Sequence, residues 1–596
     1  MNEMSALPAW DLRDLYQGVD DPAIDADFGW CEAEADRLRA DLNGRIADAA
    51  GDALAEGIAR YEALQDRFGR LMAFSFLNYC TDMQDGARVR FFQATQEKVN
   101  RITAKLLFFS IEINHLEEDD LQARMAASPA LAHYGPWLRD LRTMRKHVLS
   151  DELERLFHEK SITAYSAWTR LFDQTMAGLV FTVGGKEMPS QDAINLLSNR
   201  DRKVRQEAAA EISRVLGDNV RLFALITNTL IRDKQTEDEW RGIAQPEYGR
   251  HMMNQVEPEV VDALRDAVFD SFPRLSHRYY ALKAKWLGLE KLEHHDRNAP
   301  LPDNDDAQIP WNEAVETVLH AYDRFSGGLA DVARSFFDKP WIDAAPKAGK
   351  SPGAFAHPVV PSAHPYLLMN YQGKVRDVMT LAHELGHGCH QVLAAKQGPL
   401  MCDTPLTLAE TASVFGEMLT FQSMLAGAET PERRRLMLAS KVEDMINTVV
   451  RQTAFYEFER RLHHKRREGE LAPEEIGGIW LDVQRESLGP VFDLGDDYGV
   501  YWAYIPHFVH TPFYVYAYAF GDCLVNALYQ TYQAEPEGFQ EKYLEMLSAG
   551  GTLRHRDLLQ PFGLDASDPQ FWQRGLTLIE GFIDELEAMQ GPVPAT

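Results

Sequence analysis

Apolar residues return every three or four positions along most of this 596-residue chain, and that period commits it chiefly to amphipathic α-helix. Trp30 to Gly57 and Gly57 to Phe76 read as two long examples. Strand signals are few. Leu179 to Val183, Gly184-Gly185 and Lys186 to Met188 predict a small hairpin, and Tyr366 to Tyr371 predicts a short strand. Stretches rich in Pro, Asp or Gly at 296–310 and 338–364 read as loops. No repeat of solenoid or propeller period is visible. The coarse division expected is an N-terminal helical lobe over 1–205, with the segments that carry chemistry in a domain over 206–596.

Composition narrows the function classes. With 45% hydrophobic and 25% charged residues the chain is globular rather than disordered. Its 61 basic against 90 acidic residues give a net charge of -29, which disfavours nucleic acid and anionic lipid as partners. No apolar run approaches membrane-spanning length, and the opening MNEMSALPAWDLRDLY lacks the pattern of a secretory signal. Five scattered cysteines suit reduced thiols. These features predict a cytoplasmic protein that does not enter membranes.

The most specific chemistry lies in DVMTLAHELGHGCHQVLAAKQGP. Val378, Ala382, Leu385, Cys389 and Val392 form a helical stripe, and the helix should stop at Gly398 before Pro399. His383 and His387 are four apart, so they differ by about 40° in azimuth and can present both imidazoles to one metal ion. Glu384 lies about 100° round from His383, beside that point, where a general base can take a proton from a metal-bound water.

A catalytic zinc needs a third protein ligand and an open position. TPLTLAETASVFGEML supplies Glu410, with 22 residues between it and His387: enough for a helix to end, a loop to turn and a second helix to return a carboxylate. Thr404 is placed to cap that helix and Pro405 to begin it. Ser413 and Glu417 share the Glu410 face and can orient a ligand. Gly386 suits close helix packing.

HELGHGCH followed by ETASVFGE resembles the zinc oligopeptidases of the M3 family, and more closely the oligoendopeptidase F branch. WDLRDLY, GKSPGAF, HPYLLMNY and IPHFVHTPFYVYAYAFG resemble segments of that branch in the same order, so the likeness spans nearly the whole chain. It implies a mainly α, two-lobed zincin-type metallopeptidase with a deep substrate channel and a small β element next to the zinc helix. It further implies one Zn2+ per chain, held by His383, His387 and Glu410, with Glu384 as base in the hydrolysis of internal bonds of short peptides. The branch also places transition-state donors in the last of these segments. His507, His510, Tyr514 and Tyr516 are the candidates. Helical phase groups Tyr514 with Tyr518 and sets Tyr516 opposite, whereas matching the FYVY string favours Tyr516. The resemblance makes HPYLLMNY an edge strand that can bind an extended peptide through its backbone. Gly353, in GKSPGAF, can let a loop close over substrate, although a plain surface turn is the commoner reading.

The residues admit two other readings. Glu384/His387 and Glu112/His115 share the Glu-x-x-His spacing of a di-iron carboxylate protein, which would leave His383 unexplained. A peptide-binding protein with a structural zinc would have no need of Glu384. His294-His295-Asp296 lacks a spaced partner for a metal, and the run Arg460, Arg461, Lys465, Arg466, Arg467 reads as a solvated helix face, with contact to a peptide carboxylate as the alternative.

Overall fold

The computed structural model describes residues 7–301 and 308–589. The first six residues of the opening segment, and 302–307 within the predicted 296–310 break, lie outside the described residues. Helix dominates, as the apolar period requires. Helix α1 (Pro22–Leu42) starts where Asp21 accepts the Ala23 N–H and Pro22 fills the first turn. The stretch from Trp30 to Gly57 is not one helix, however. It breaks after Asn43, because Gly44 takes φ +73 and the Glu112 carboxylate receives the Gly44 N–H at 2.7 Å. Helix α2 (Gly51–Cys80) then resumes the pattern.

The chain forms two compact units, each built from three separated segments. One comprises Met1–Arg145, Asp306–Gly427 and Thr531–Leu564; the other comprises Lys146–Asp305, Ala428–Gln530 and Asp565–Thr596. A single division near residue 205 therefore does not describe the partition. Helices remote in sequence complete one another's cores, as where Pro258–Ser271 packs on Pro569–Ala588 within the second unit. Such pairing leaves no local mark in the sequence.

Strands are short and few. In the second unit β1 (Phe181–Val183) and β2 (Lys186–Met188) form the predicted hairpin, turned by Gly184 and Gly185 at positive φ. Strand β3 (Leu292–Glu293) pairs there with a late two-residue strand, Phe492–Asp493. In the first unit β4 (Ile342–Asp343), β5 (Phe355–His357) and β6 (Tyr366–Leu368) form a sheet in the order β4-β6-β5. This corrects two expectations. The 338–364 stretch is not all loop, since it contributes β4 and β5. Strand β6 is central rather than an edge, because its three residues are all buried and Leu367 and Leu368 are paired on both sides. The outer strands are β4 and β5.

Around this sheet the first unit packs α3 (Trp311–Phe325), α4 (Val375–Ala394) and α5 (Thr411–Ala426) closely against one another. Tyr322 on α3 is fully buried and donates its hydroxyl to the Ala382 carbonyl at 2.7 Å, tying α3 to the middle of α4. No helix among the described residues is long and apolar enough to cross a membrane.

Candidate active site

Helix α4 carries the His383 to His387 segment as predicted, and the chain leaves its end at Gly398 with φ +81. A Cβ at Gly386 would lie 2.5 Å from the Ala412 carbonyl oxygen and 2.6 Å from the Ser413 Cα, so only glycine lets α5 come this close. The segment before α5 departs from expectation. Thr404 does not cap a helix; its hydroxyl meets His390 Nε2 at 3.1 Å. A short turn, Leu406–Ala409, starts after Pro405 and ends at Glu410, which stands at the N-terminal boundary of α5 without capping it through its side chain. The interruption brings the Glu410 carboxylate to α4.

There Glu410 Oε2 lies 3.4 Å from His383 Nε2 and 3.4 Å from His387 Nε2. The edge of a tetrahedron with metal–ligand bonds of about 2.0–2.1 Å is roughly 3.3 Å, so this spacing fits three corners of a tetrahedral zinc. Among the described residues these three form the one such ligand cluster. The donor set, two imidazoles and a carboxylate, suits zinc and leaves a fourth position. Supporting contacts fix each ligand. His383 Nδ1 lies 3.4 Å from Glu417, His387 bonds the Ala409 backbone, and Ser413 Oγ donates to Glu410 Oε2 at 2.6 Å. Burial, partly offset by Glu410, holds the His387 pKa down to about 4, which keeps its imidazole in the neutral form that a ligand needs.

Glu384 is buried on the adjoining face of α4. Burial pushes its pKa up to about 7, against the lowering effect of His383, with Glu410 adding to the rise. The β5 backbone at Ala356 hydrogen-bonds its carboxylate. Ala356 also accepts from Gln391 Nε2 at 3.5 Å. The strand edge beside α4 is thus β5, a backbone feature for which the sequence carried no signal. Lys350, in the GKSPGAF segment, was likewise missed: its buried ammonium donates to the carbonyls of Asp343, Ala345 and Met369 and to the Asp343 carboxylate, pinning that loop to the sheet. A buried lysine ringed by carbonyls has no sequence signature.

The remaining predicted residues lie in the second unit. His507, Tyr514 and Tyr518 come together, with His507 Nε2 3.4 Å from the Tyr518 hydroxyl and the two tyrosine rings 5.3 Å apart. Arg250 lies over the Tyr514 ring and donates to the Pro512 carbonyl. His510 instead faces Asp173, at 2.8 Å. Tyr516 does not join this group, contrary to the match on FYVY. It is 1% exposed, and its hydroxyl accepts from Asn254 Nδ2 at 2.8 Å and meets His251 Nδ1 at 3.2 Å. Helical phase separates Tyr516 from Tyr518, since two residues along the helix Tyr516–Ala534 rotate a side chain by about 200°, whereas Tyr514 precedes that helix.

Other expectations resolve simply. Glu112 is spent on the backbone N–H groups of Gly44 and Ile46, so the second half of a di-iron site is missing. Asp296 is buried between Arg202 and Arg205, beside His295. In the basic run, Arg461 binds both oxygens of Glu486 and Arg460 reaches Glu247, so the face is ion-paired.

A mostly helical body with an HExxH helix and a returning glutamate defines a metallopeptidase. The sequence profile of Peptidase family M3 matches residues 195–578 and that of Oligopeptidase F matches 112–181. The chain belongs to peptidase family M3 and is a metalloendopeptidase. Oligopeptidase PepF of Bacillus subtilis is 26% identical over 600 residues, covering 99% of this chain and 88% of that protein. Two solved structures share the fold at 21% identity. A chain from Chlamydophila abortus superposes with a TM-score of 0.87 over 99% of both chains. Oligoendopeptidase-F from Enterococcus faecium does so with 0.71, over 95% of this chain and 99% of its own.

Proposed function

We propose that this protein is a zinc-dependent endopeptidase that hydrolyses internal bonds of short peptides, with His383, His387 and Glu410 holding one zinc per chain. The observation that carries the reading is the meeting of two Nε2 atoms and one carboxylate oxygen at 3.4 Å, with a buried carboxyl beside them. When bound, zinc supplies Lewis acidity toward water and toward the scissile carbonyl. Glu384 takes a proton from the attacking water as the C–O bond forms, and returns it to the amide nitrogen as the C–N bond breaks. Its raised pKa, near neutrality, suits both transfers. Glu417 and the Ala409 backbone keep the imidazoles oriented. The resemblance of their segment to the oligoendopeptidase F branch supports His507, Tyr514 and Tyr518 as donors for the developing oxyanion. A cytoplasmic home is supported by five unpaired cysteines.

The test is metal analysis with peptide cleavage, in the presence and absence of chelator. One zinc per chain and chelator-sensitive cleavage are expected. Glu384→Gln should keep the zinc and lose activity by at least about a thousandfold, consistent with removal of a general base. Wild-type turnover in that variant would remove Glu384 from the mechanism, and zinc with peptide binding but no cleavage would make the chain a binding protein.

A further inference from the structure

Two tyrosine hydroxyls stand behind the helices that carry the proposed zinc ligands. Tyr322, on α3, donates to the carbonyl of Ala382, the residue before His383, at 2.7 Å. Its oxygen also rests against Gly416 on α5, where an added Cβ would collide with it. Gly416 precedes Glu417, the partner of His383 Nδ1. One hydroxyl is thus lodged between the backbone of α4 and that of α5. Tyr543, on the helix Phe539–Ser548, donates to the carbonyl of Thr411, the residue after Glu410, at 2.9 Å. Both tyrosines are fully buried, and each hydroxyl meets a backbone carbonyl one residue from a proposed ligand.

The two belong to one packed layer. Phe325, three residues beyond Tyr322 on α3, has its ring 5.4 Å from that of Tyr543 and 4.9 Å from that of Phe415 on α5, and Phe415 lies 4.5 Å from Tyr543. All of these residues lie in the first unit, with His383, His387 and Glu410. Gly386 allows α4 and α5 to approach, but a missing side chain does not hold them there. A hydroxyl bonded to one carbonyl does, because a hydrogen bond weakens steeply once its distance and angle depart from the optimum. The ligand atoms need such a tie: they come from two helices to within 3.4 Å, and metal–ligand distances tolerate only about 0.2 Å of error. Removing either hydroxyl while keeping its ring leaves the aromatic packing and deletes only the tie.

We propose that Tyr322 and Tyr543 are positioning residues for the metal centre, their hydroxyls holding α4 and α5 at the spacing where His383, His387 and Glu410 fit a tetrahedral ion. The inference rests on the zinc reading for its ligand set.

The experiment reads metal binding rather than turnover. Full-length wild type, Tyr322→Phe and Tyr543→Phe are stripped with chelator, then titrated with Zn2+ in competition with a chromogenic chelator, and with Co2+, whose visible absorption is stronger in four-coordinate than in six-coordinate sites. Tyr366→Phe is the control: Tyr366 is equally buried, and its hydroxyl serves the Asp11 carbonyl at 2.9 Å instead of α4 or α5. Tyr322→Phe and Tyr543→Phe should each bind Zn2+ about tenfold more weakly and give a weaker Co2+ spectrum. Tyr366→Phe should lose a similar amount of thermal stability and keep the wild-type affinity and spectrum. Wild-type affinity and spectrum in a folded Tyr322→Phe or Tyr543→Phe removes that tyrosine from the role. An equal loss of affinity in Tyr366→Phe overturns the inference, since any lost hydroxyl would then act through stability alone. If one tyrosine variant does not fold, the other decides. If wild type itself binds neither ion, the zinc reading fails and the inference falls with it.

Discussion

Glu459 on α6 (Val450–Arg466) gives the most quantitative forecast. It is 1% exposed; Oε1 accepts the Phe513 N–H at 2.9 Å, and Oε2 is buried without a partner. Phe513 holds φ +60, a left-handed conformation that costs a non-glycine residue roughly 1–2 kcal/mol, so this hydrogen bond fixes the turn that precedes Tyr514. Burial pushes the Glu459 pKa up to about 8 from its ordinary 4.5, although the Phe513 N–H and the Arg250 charge oppose the rise. The folded state therefore binds a proton that the unfolded state releases between pH 4.5 and about 8. The stability associated with neutral Glu459 is complete below pH 4.5 and is lost progressively as pH rises to about 8. At about 1.4 kcal/mol per pH unit this window is worth on the order of 5 kcal/mol. Glu459→Gln keeps the carbonyl acceptor for Phe513 and cannot ionise. Relative to wild type it should be about neutral, or destabilised by about 1 kcal/mol for its extra buried N–H, at pH 4.5, and more stable by several kcal/mol at pH 9. Thermal or denaturant unfolding of the two proteins at both pH values measures the difference, and comparing variants cancels every other titrating group. Parallel pH–stability curves would refute a buried, neutral Glu459.

Three further outcomes are expected. Glu417→Gln should weaken zinc binding by about 10–100-fold, measured by competition with a chromogenic chelator, because it removes the charged partner of His383 Nδ1. Gly386→Ala should destabilise the first unit by at least about 2 kcal/mol in denaturant unfolding, since its methyl meets backbone on α5 that cannot yield without moving Glu410. Tyr516→Phe should cost about 1–2 kcal/mol of stability yet keep peptidase activity, whereas Tyr514→Phe or Tyr518→Phe should lower kcat. Equal kinetic losses in all three would contradict the separation of Tyr516 from the His507 group.

What could be read from the sequence was what spacing along one helix determines. His383, Glu384 and His387 share a turn of α4, and a fixed helical pitch aims their side chains before any tertiary contact forms. The predominance of helix, the hairpin at Gly184-Gly185 and the stop at Gly398 rest on the same local rules. The place of Glu410 was legible as a returning carboxylate, but not the break in its helix that delivers it.

The tertiary structure decided everything that depends on meetings between distant segments. It made β6 a central strand and β5 the edge beside Glu384, because strand pairing is settled between segments that no local pattern links. It buried Tyr516 among His251, Asn254 and Tyr456 and left Tyr514 and Tyr518 with His507. It divided the chain into units of three segments each. The physical reason is the range of the forces involved. Helical pitch and turn chemistry act over a few residues, whereas burial, charge pairing and strand order are settled only when remote surfaces exclude water together.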